Sequence, residues 1–339
     1  MELSVLSRLK ERGEAGMPRS KSPVFVVGCP RSGTTFLFDA LCSSGVFPVF
    51  DQESHVFGGL VTRVGDLSRR KNREELFVRW TQSSYFKPVG IDLEEVKLRI
   101  IEECNNGGDF LRIVMESMAR QQHKNRWAEH TPDHALYLKE IKRTLPDALI
   151  LHLIRDGRDV ALSLDRQGFL NSYLWSEKHS LVACGVYWEW LVEAGVRAGR
   201  ALGADYMEVR FEDLIMKPHE TFAKIGQFIA EDLDYDRIRQ QGVGAVSKPN
   251  TSFKAESSKS GFDPVSRWKR DYPKGELLKL EGAIGPFLKK MGYQLATPEK
   301  ELGNTFAPRR LRTLYRNYLA SRLFVKTYFP MARYFVRDR

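Results

Sequence analysis

Cysteine is scarce in this sequence, and no long apolar run is present. The 339 residues include four cysteines, none in a Cys-x-x-Cys pair, so a disulfide framework or a zinc site is not indicated. The longest apolar run, from Ala148 to Ile154, is far shorter than the ~20 residues that cross a bilayer, and the N-terminal segment has no apolar leader. We therefore expect a cytoplasmic protein without a membrane span or a secretory signal.

A basic excess exists, but it is concentrated at the C-terminal end. Lys and Arg number 53 against 43 Asp and Glu, a formal net charge of +10, of which residues 309–339 carry +8. The remaining +2 gives the body of the chain no polyanion-binding character, so nucleic acid is not an expected partner. With 42% hydrophobic residues and no internal repeat or low-complexity tract, the composition is that of a folded globular protein.

Short β-branched runs alternate with stretches of helical periodicity, which is typical of α/β domains. Strands are predicted over 24–28, 46–50, 126–129, 148–154 and 206–211. Helices are predicted over 34–43, 73–80, 93–104, 109–122, 134–144, 158–165, 176–202 and 219–230. The stretch 242–266, which is rich in Gly, Ser, Lys and Pro, is predicted to be a mobile flap within one domain.

A glycine-rich loop follows the first predicted strand. It reads Gly28-Cys29-Pro30-Arg31-Ser32-Gly33-Thr34-Thr35 and leads into a predicted helix. Backbone N–H groups of such a loop and the positive end of the helix bind an anion together. An ATP-binding loop of this type would have Lys at position 34, whereas here the basic residue is Arg31. The pattern favours a 5′-phosphate over a triphosphate, and the alternative is a tight strand-to-helix turn without a ligand.

A second candidate phosphate site follows the most apolar predicted strand. Arg155 comes directly after that strand, and Ser163 lies eight residues further on, within the next predicted helix. In an open parallel sheet, ligands bind beyond the carboxyl ends of the strands, where these two side chains would converge on a second phosphate. The alternative is a surface turn in which the charges of Arg155–Asp159 pair with one another.

These two motifs together resemble the cofactor motifs of the sulfotransferase family, which uses 3′-phosphoadenosine 5′-phosphosulfate (PAPS). The resemblance extends over about residues 22–293, with further matches at 127–132, 210–214 and 267–293. It implies the P-loop NTPase-like sulfotransferase fold, a three-layer α/β/α domain with a mostly parallel central sheet. The implied organisation is an N-terminal extension over 1–22, a sulfotransferase domain over 23–296 and a basic tail over 297–339.

The resemblance also implies which residues hold PAPS, with no metal required. The 5′-phosphosulfate would lie on Arg31, Ser32, Gly33, Thr34 and Thr35, the 3′-phosphate on Arg155 and Ser163, and the covering flap would include Lys259 and Gly261. Phe211 stands where many relatives have Tyr, so no hydroxyl contact is expected from it.

Sulfuryl transfer to a hydroxyl requires a base, and the segment Asp51–Phe57 supplies a candidate. Glu53 is the predicted base, with Arg31 and His55 as further catalytic residues, because Glu53, His55 and Phe57 resemble the Glu-x-His-x-Phe element of heparan-sulfate and related Golgi-type sulfotransferases. The alternative is a solvated loop Glu beside a structural His. His130 stands where the family pattern often has Lys, so it is either a pH-sensitive charge or a hydrogen-bonded packing residue.

The predicted function is therefore transfer of a sulfuryl group from PAPS to a hydroxyl of a carbohydrate, lipid or other small acceptor. A P-loop kinase is the alternative enzyme, although Thr34 replaces its Lys. Residues 309–339 have the pattern of an amphipathic helix with a basic face. Such a helix either lies on the inner membrane surface as a peripheral contact or packs on the domain with its charges in solvent.

Overall fold

The computed structural model describes residues 18–84, 86–170, 180–248, 263–303 and 306–328. Lys259, Gly261 and the last residues of the basic tail, 329–339, lie outside the described residues, so the predicted flap stays a prediction. The described part is a three-layer α/β/α fold around a parallel sheet, as the sequence predicts.

Four parallel strands form the sheet in the described residues, in the order β2-β1-β3-β4. They are β1 Val24–Gly28, β2 Ala128–Glu129, β3 Leu149–Ile154 and β4 Tyr206–Arg210. Every residue of β1 and β3 is buried, as expected of central strands covered on both faces. Gly28 of β1 lies opposite Leu153 of β3, so the loops that follow these two strands leave the sheet side by side.

Fourteen α-helices lie in the described residues. They are α1 Thr34–Ser43, α2 Arg70–Thr81, α3 Leu93–Glu103, α4 Gly107–Gln121, α5 Leu138–Thr144, α6 Gly157–Arg166, α7 Ser180–Arg200, α8 Phe211–Met216, α9 Pro218–Ile229, α10 Tyr235–Gln241, α11 Trp268–Asp271, α12 Lys274–Lys290, α13 Glu299–Leu302 and α14 Phe306–Tyr328. Side chains cap four of them: α3, α4, α6 and α10. The carboxylate of Asp92, for example, accepts hydrogen bonds from the first turn of α3. The long helix α7 packs across β1, β3 and β4.

One predicted strand, over 46–50, is wrong. Phe47 and Phe50 are buried, but Pro48 interrupts the run and has no N–H for a ladder. The N–H of Val49 donates instead to the side-chain oxygen of Gln122 at 2.8 Å, and the carbonyl of Val49 accepts from the Gln122 amide nitrogen at 3.0 Å. The helix predicted over 134–144 is also divided, into a single 3-10 turn over Pro132–Leu136 and the short helix α5.

The C-terminal helix α14 packs against α7 and α12. Tyr315 is only 2% exposed at this contact. Arg312 and Arg316 both donate hydrogen bonds to Glu189 of α7, at 2.7 and 2.9 Å, and Arg316 also binds Glu193. The helix therefore docks on the domain, and the expectation that its charges stay in solvent is wrong for these two arginines because a buried carboxylate faces them. None of the helices in the described ranges is both long enough and apolar enough to span a bilayer.

Candidate active site

The loop between β1 and α1 is shaped by residues in the left-handed region of backbone conformation. Gly33 has a φ of 97°, and a Cβ atom there would lie 2.5 Å from the ring of Phe211. Arg31 has a φ of 70°, which is uncommon for a residue with a side chain. No side chain caps the N-terminus of α1, and the buried hydroxyl of Ser32 has no hydrogen-bond partner in the described residues. The loop has the open donors that an anion would bind.

The two predicted phosphate sites meet at Arg31. Its Nε atom donates to the hydroxyl of Ser163 at 3.2 Å, and Arg155 Nη1 donates to the Arg31 carbonyl at 3.0 Å. The pKa of Arg31 is lowered by burial and by the charge of Arg155, whereas Glu53 opposes this shift. The charges of Arg155 and of Glu53, the predicted base, therefore both act on Arg31.

Arg155 is held in place by several contacts. Its guanidinium lies 4.4 Å from the centre of the Phe211 ring, and its Nη2 atom donates to the carbonyl of Pro264 at 2.6 Å. Asp159 lies 3.9 Å away, and burial raises the pKa of that carboxyl to about 6 although Arg155 opposes the shift. Burial lowers the pKa of Arg155, and the positive charge of the buried Arg267 lowers it further. Asp159, Glu212 and Asp156 oppose this lowering of the Arg155 pKa, so the cluster contains charges of both signs.

The helix that carries Ser163 differs from α1 at its N-terminus. Asp156 caps α6 by accepting from the backbone N–H of Arg158 at 2.9 Å, and the same two side chains form an ion pair at 2.7 Å. Asp156 and Arg158 therefore form an ion pair within the segment Arg155–Asp159. Arg155 lies 3.9 Å from Asp159 and also donates to the loop after β1. These charged residues are buried, so they pair without forming a surface turn, and phosphate binding by Arg155 and Ser163 stays a prediction.

The predicted base lies beside a histidine and a second carboxylate. His55 Nε2 lies 3.1 Å from Glu53 Oε2, and His55 Nδ1 lies 3.7 Å from Asp133 Oδ1. Burial favours the neutral imidazole, but the two carboxylates outweigh it and raise the pKa of His55 to about 10. His55 is therefore a cation at neutral pH and does not accept a proton there. Glu53, the predicted base, therefore faces a protonated imidazole at 3.1 Å.

A fully buried carboxylate anchors the backbone on both sides of this cluster. Glu129 accepts hydrogen bonds from the hydroxyls of Ser54 and Thr131, the Ser54 hydroxyl at 2.7 Å, and faces His134 Nδ1 at 3.1 Å. Burial alone would raise the pKa of Glu129, but His134 and the two hydroxyls hold it well below its ordinary value. The anchor fixes the segment that carries His55 relative to the turn that carries Asp133.

His130 is a buried ring rather than an exposed charge. It stacks on Phe38 with ring centres 4.0 Å apart, and burial lowers its pKa although nearby carboxylates oppose this. The lowered pKa favours the neutral ring. Of the two interpretations of His130, its surroundings favour the packing residue.

The structure brings together Arg31, Ser32, Gly33, Arg155 and Ser163 at one end of the sheet, with Thr34 and Thr35 opening α1 beside them. Sequence reasoning missed Asp133 and Arg267 as site residues. Asp133 follows β2 closely, so the rule that sites form beyond the carboxyl ends of parallel strands would have pointed to it. Arg267 is far away in sequence, and only packing reveals its position beside Arg155.

The fold is an α/β domain with a glycine-rich loop between β1 and α1, and a family match identifies the class of protein. The chain belongs to the Sulfotransferase family, whose model matches residues 23–236. This match confirms the predicted family and the prediction that the protein is a sulfotransferase.

Two relatives show how far the similarity extends. Protein-tyrosine sulfotransferase A of Caenorhabditis elegans is 22% identical over 291 residues, which cover 83% of this chain and 70% of that protein. Protein-tyrosine sulfotransferase of Drosophila melanogaster is 26% identical over 283 residues, covering 80% of this chain and 51% of that protein. The matches thus span between about half and 70% of these relatives' lengths.

Solved structures agree on the fold. The sulfotransferase domain from the curacin biosynthetic pathway superposes with a TM-score of 0.52 at 14% identity, covering 81% of this chain and 98% of that domain. The sulfotransferase domain from the Synechococcus PCC 7002 olefin synthase gives 0.50 at 16% identity, covering 81% and 96%. The predicted fold is confirmed.

Proposed function

We propose that this sulfotransferase uses PAPS as donor and transfers its sulfuryl group to a hydroxyl of an acceptor, with Glu53 as general base. The observation that carries the proposal is the meeting of two anion-binding groups at Arg31. One is the open loop before α1, and the other is the Arg155 and Ser163 pair, which contacts Arg31 at 3.0 and 3.2 Å. A nucleotide with phosphate groups at both its 3′ and 5′ positions fits two such sites.

The chemistry follows from where the charges lie. The acceptor oxygen forms a bond to sulfur while the bond from sulfur to the 5′-phosphate oxygen breaks, giving a sulfate ester and adenosine 3′,5′-bisphosphate. Glu53 accepts the hydroxyl proton, and Arg31 and the loop N–H groups stabilise the charge that develops on the departing phosphate. His55 contacts Glu53 through Oε2, and the partly exposed carboxylate remains accessible to an acceptor hydroxyl.

The acceptor class belongs to this proposal. The relatives' names make the phenolic hydroxyl of a tyrosine in a polypeptide the first acceptor to test. Carbohydrate and lipid hydroxyls require the same base and the same cradle, so they are the comparison acceptors. Incubation with labelled PAPS and a tyrosine peptide, an oligosaccharide or a lipid, followed by mass spectrometry, identifies which one gains the sulfuryl group.

The donor is tested by thermal unfolding with matched nucleotides. Adenosine 3′,5′-bisphosphate and ADP carry two phosphates each, but only the first places one at the 3′ position. A ligand at 100 times its Kd stabilises the native state by about 2.7 kcal/mol. We expect a raised melting temperature with the 3′,5′-bisphosphate and little change with ADP or ATP. Equal shifts with all three would contradict the donor assignment and favour the kinase alternative.

A further inference from the structure

His55 lies between two carboxylates that come from different parts of the fold. Its Nε2 atom faces Glu53 at 3.1 Å, and its Nδ1 atom faces Asp133 at 3.7 Å. An imidazole offers a proton at both nitrogens only when it is positively charged. We call this Glu53, His55 and Asp133 arrangement the carboxylate clasp.

The backbone on both sides of the carboxylate clasp is hydrogen-bonded through Thr131 to the buried Glu129. The backbone N–H groups of Ser54 and His55 donate to the hydroxyl of Thr131, at 2.9 and 3.2 Å. Thr131 caps the turn Pro132–Leu136 that carries Asp133, and its own N–H and hydroxyl bind the buried Glu129. His55 also has a left-handed φ of 47°. The spacing between His55 and Asp133 is therefore set by buried hydrogen bonds.

Charged groups from several elements act on the carboxylate clasp. Arg31 acts on Glu53, as described above, and His134 and Lys326 act on Asp133. Burial opposes ionisation of Asp133, but His55, His134 and Lys326 outweigh it and lower its pKa. Lys326 belongs to α14, so the C-terminal helix contributes to the charge balance beside the base.

We propose that Asp133 is a positioning residue, which holds His55 as a cation against Glu53 and thereby makes Glu53 the proton acceptor. The proposal rests on the function proposed above. Without Asp133, the imidazole keeps one carboxylate partner and is free to lose its proton near neutral pH. It would then turn away from Glu53 or compete with it as a base, and transfer would acquire a new dependence on pH.

The experiment compares Asp133→Asn with Asp133→Glu and with a matched control, Asp147→Asn. Asp147 is an ion-paired Asp that bonds Arg112 at 2.6 Å outside the carboxylate clasp. The His55 imidazole is titrated by NMR in each protein, and kcat and KM are measured across pH with PAPS and an accepted substrate. We expect Asp133→Asn to move the His55 titration down by about two pH units and to lower kcat about tenfold near pH 8, with KM for PAPS unchanged. Asp133→Glu keeps a carboxylate, so we expect a smaller shift of the His55 titration and a smaller loss of kcat.

Two results would overturn the proposal. One is a His55 titration in Asp133→Asn that matches the unmodified protein, and the other is an unchanged pH profile of kcat. The His55 titration needs no turnover, so failure of the sulfuryl-transfer assignment is seen separately, as absent transfer in the unmodified protein. The second check adds Asp133→Asn to His55→Gln. Because Asp133 is proposed to act through His55, the double variant should have the same kcat as His55→Gln alone.

Discussion

Arg31 combines an uncommon backbone conformation with the central position in the site. A left-handed φ of 70° in a residue with a side chain costs free energy, which surrounding contacts must offset. Here the Arg31 carbonyl accepts a hydrogen bond from Arg155, and its side chain donates to Ser163. The two sites that the chain places after separate strands are thus joined through one residue. Substitutions at any of these three positions should therefore affect nucleotide binding.

Glu53→Gln tests the base directly. The amide keeps the shape of the side chain but cannot accept the acceptor proton, so we expect kcat to fall by roughly 10²–10⁴-fold. Binding of adenosine 3′,5′-bisphosphate, measured by calorimetry, should stay unchanged. Near-normal turnover in Glu53→Gln, together with a large loss in His55→Ala or His130→Ala, would assign the base to a histidine instead.

Arg155→Ala tests the second phosphate site. A hydrogen bond to a charged group contributes roughly 1.5–3 kcal/mol, which corresponds to about a ten- to hundredfold preference for the nucleotide with a 3′-phosphate over AMP. We expect this preference to be largely lost in Arg155→Ala. Arg143→Ala on α5 is the control, because Arg143 pairs with Glu140 at the surface, at 2.6 Å. A wild-type ratio of the two affinities in Arg155→Ala would rule out its role.

His55 also makes stability depend on pH. Its folded-state pKa of about 10 lies above the ordinary value of 6.5, so its protonation stabilises the fold. This contribution is complete below about pH 6.5 and disappears as the pH rises through about 10. We therefore expect the melting temperature of the unmodified protein to exceed that of His55→Gln at pH 6 and to approach it by pH 10. If the difference between the two melting temperatures grew as the pH rises, the raised pKa of His55 would be contradicted.

Among the helices, α14 is held by charge as well as by apolar contact. Glu189 of α7 is fully buried, and Arg312 and Arg316 are its partners across the helix interface. A buried carboxylate that loses its partners is strongly destabilising, because its charge stays desolvated without compensation. The basic residues of the tail are thus in part structural.

The double variant Arg312→Ala/Arg316→Ala tests this interface. We expect it to lower the free energy of unfolding by on the order of 3 kcal/mol, measured by urea denaturation. Arg310→Ala, at an exposed position of the same helix, should change stability by less than about 0.5 kcal/mol. If Glu189→Gln is added, part of the loss should be recovered, because no unpaired charge then remains. Equal stability of the double variant and the Arg310→Ala control would refute the structural role.

Across the molecule as a whole, the nucleotide site and the tail are separable in sequence but connected in space. Deleting 309–339 removes the partners of Glu189, so we expect a lower melting temperature. Binding of adenosine 3′,5′-bisphosphate should persist below that temperature, since the loop before α1, Arg155 and Ser163 all remain. Loss of nucleotide binding in a truncated protein that is still folded would show that the tail supports the cradle.

Membrane contact by the tail stays a separate proposal. Leu314 and Phe324 of α14 are 53% and 54% exposed, so a docked helix still presents apolar side chains. Each Lys or Arg near an anionic surface contributes about 1 kcal/mol, which salt screens. Sedimentation of the full-length protein with anionic vesicles at low and high salt decides the matter. Salt-sensitive binding supports the proposal, and absence of binding at low salt contradicts it.

Features that depend on neighbouring residues follow from the amino-acid sequence alone. The strand Val24–Gly28, the loop after it and the helix Thr34–Ser43 are specified by hydrophobic periodicity and turn chemistry, which act over a few positions. The α/β class and the loop between β1 and α1 are therefore predictable from local patterns, whereas the family and the candidate nucleotide residues come from the resemblance of two motifs to the sulfotransferases. The prediction of a strand over 46–50 is wrong because it follows the apolar pattern and ignores Pro48, a local signal, and because the hydrogen-bond partner of Val49, Gln122, is distant in sequence.

Which distant groups compensate one another depends instead on the tertiary packing. Phe211 packs on Gly33 and under Arg155, Asp133 faces His55, and Glu189 faces Arg312 across a sequence separation of 123 residues. Such pairings are selected by the free energy of burying charge, which depends on how whole helices and strands pack together. No local sequence pattern encodes these pairings. The protonation of His55 and the docking of the basic helix are consequences of that packing.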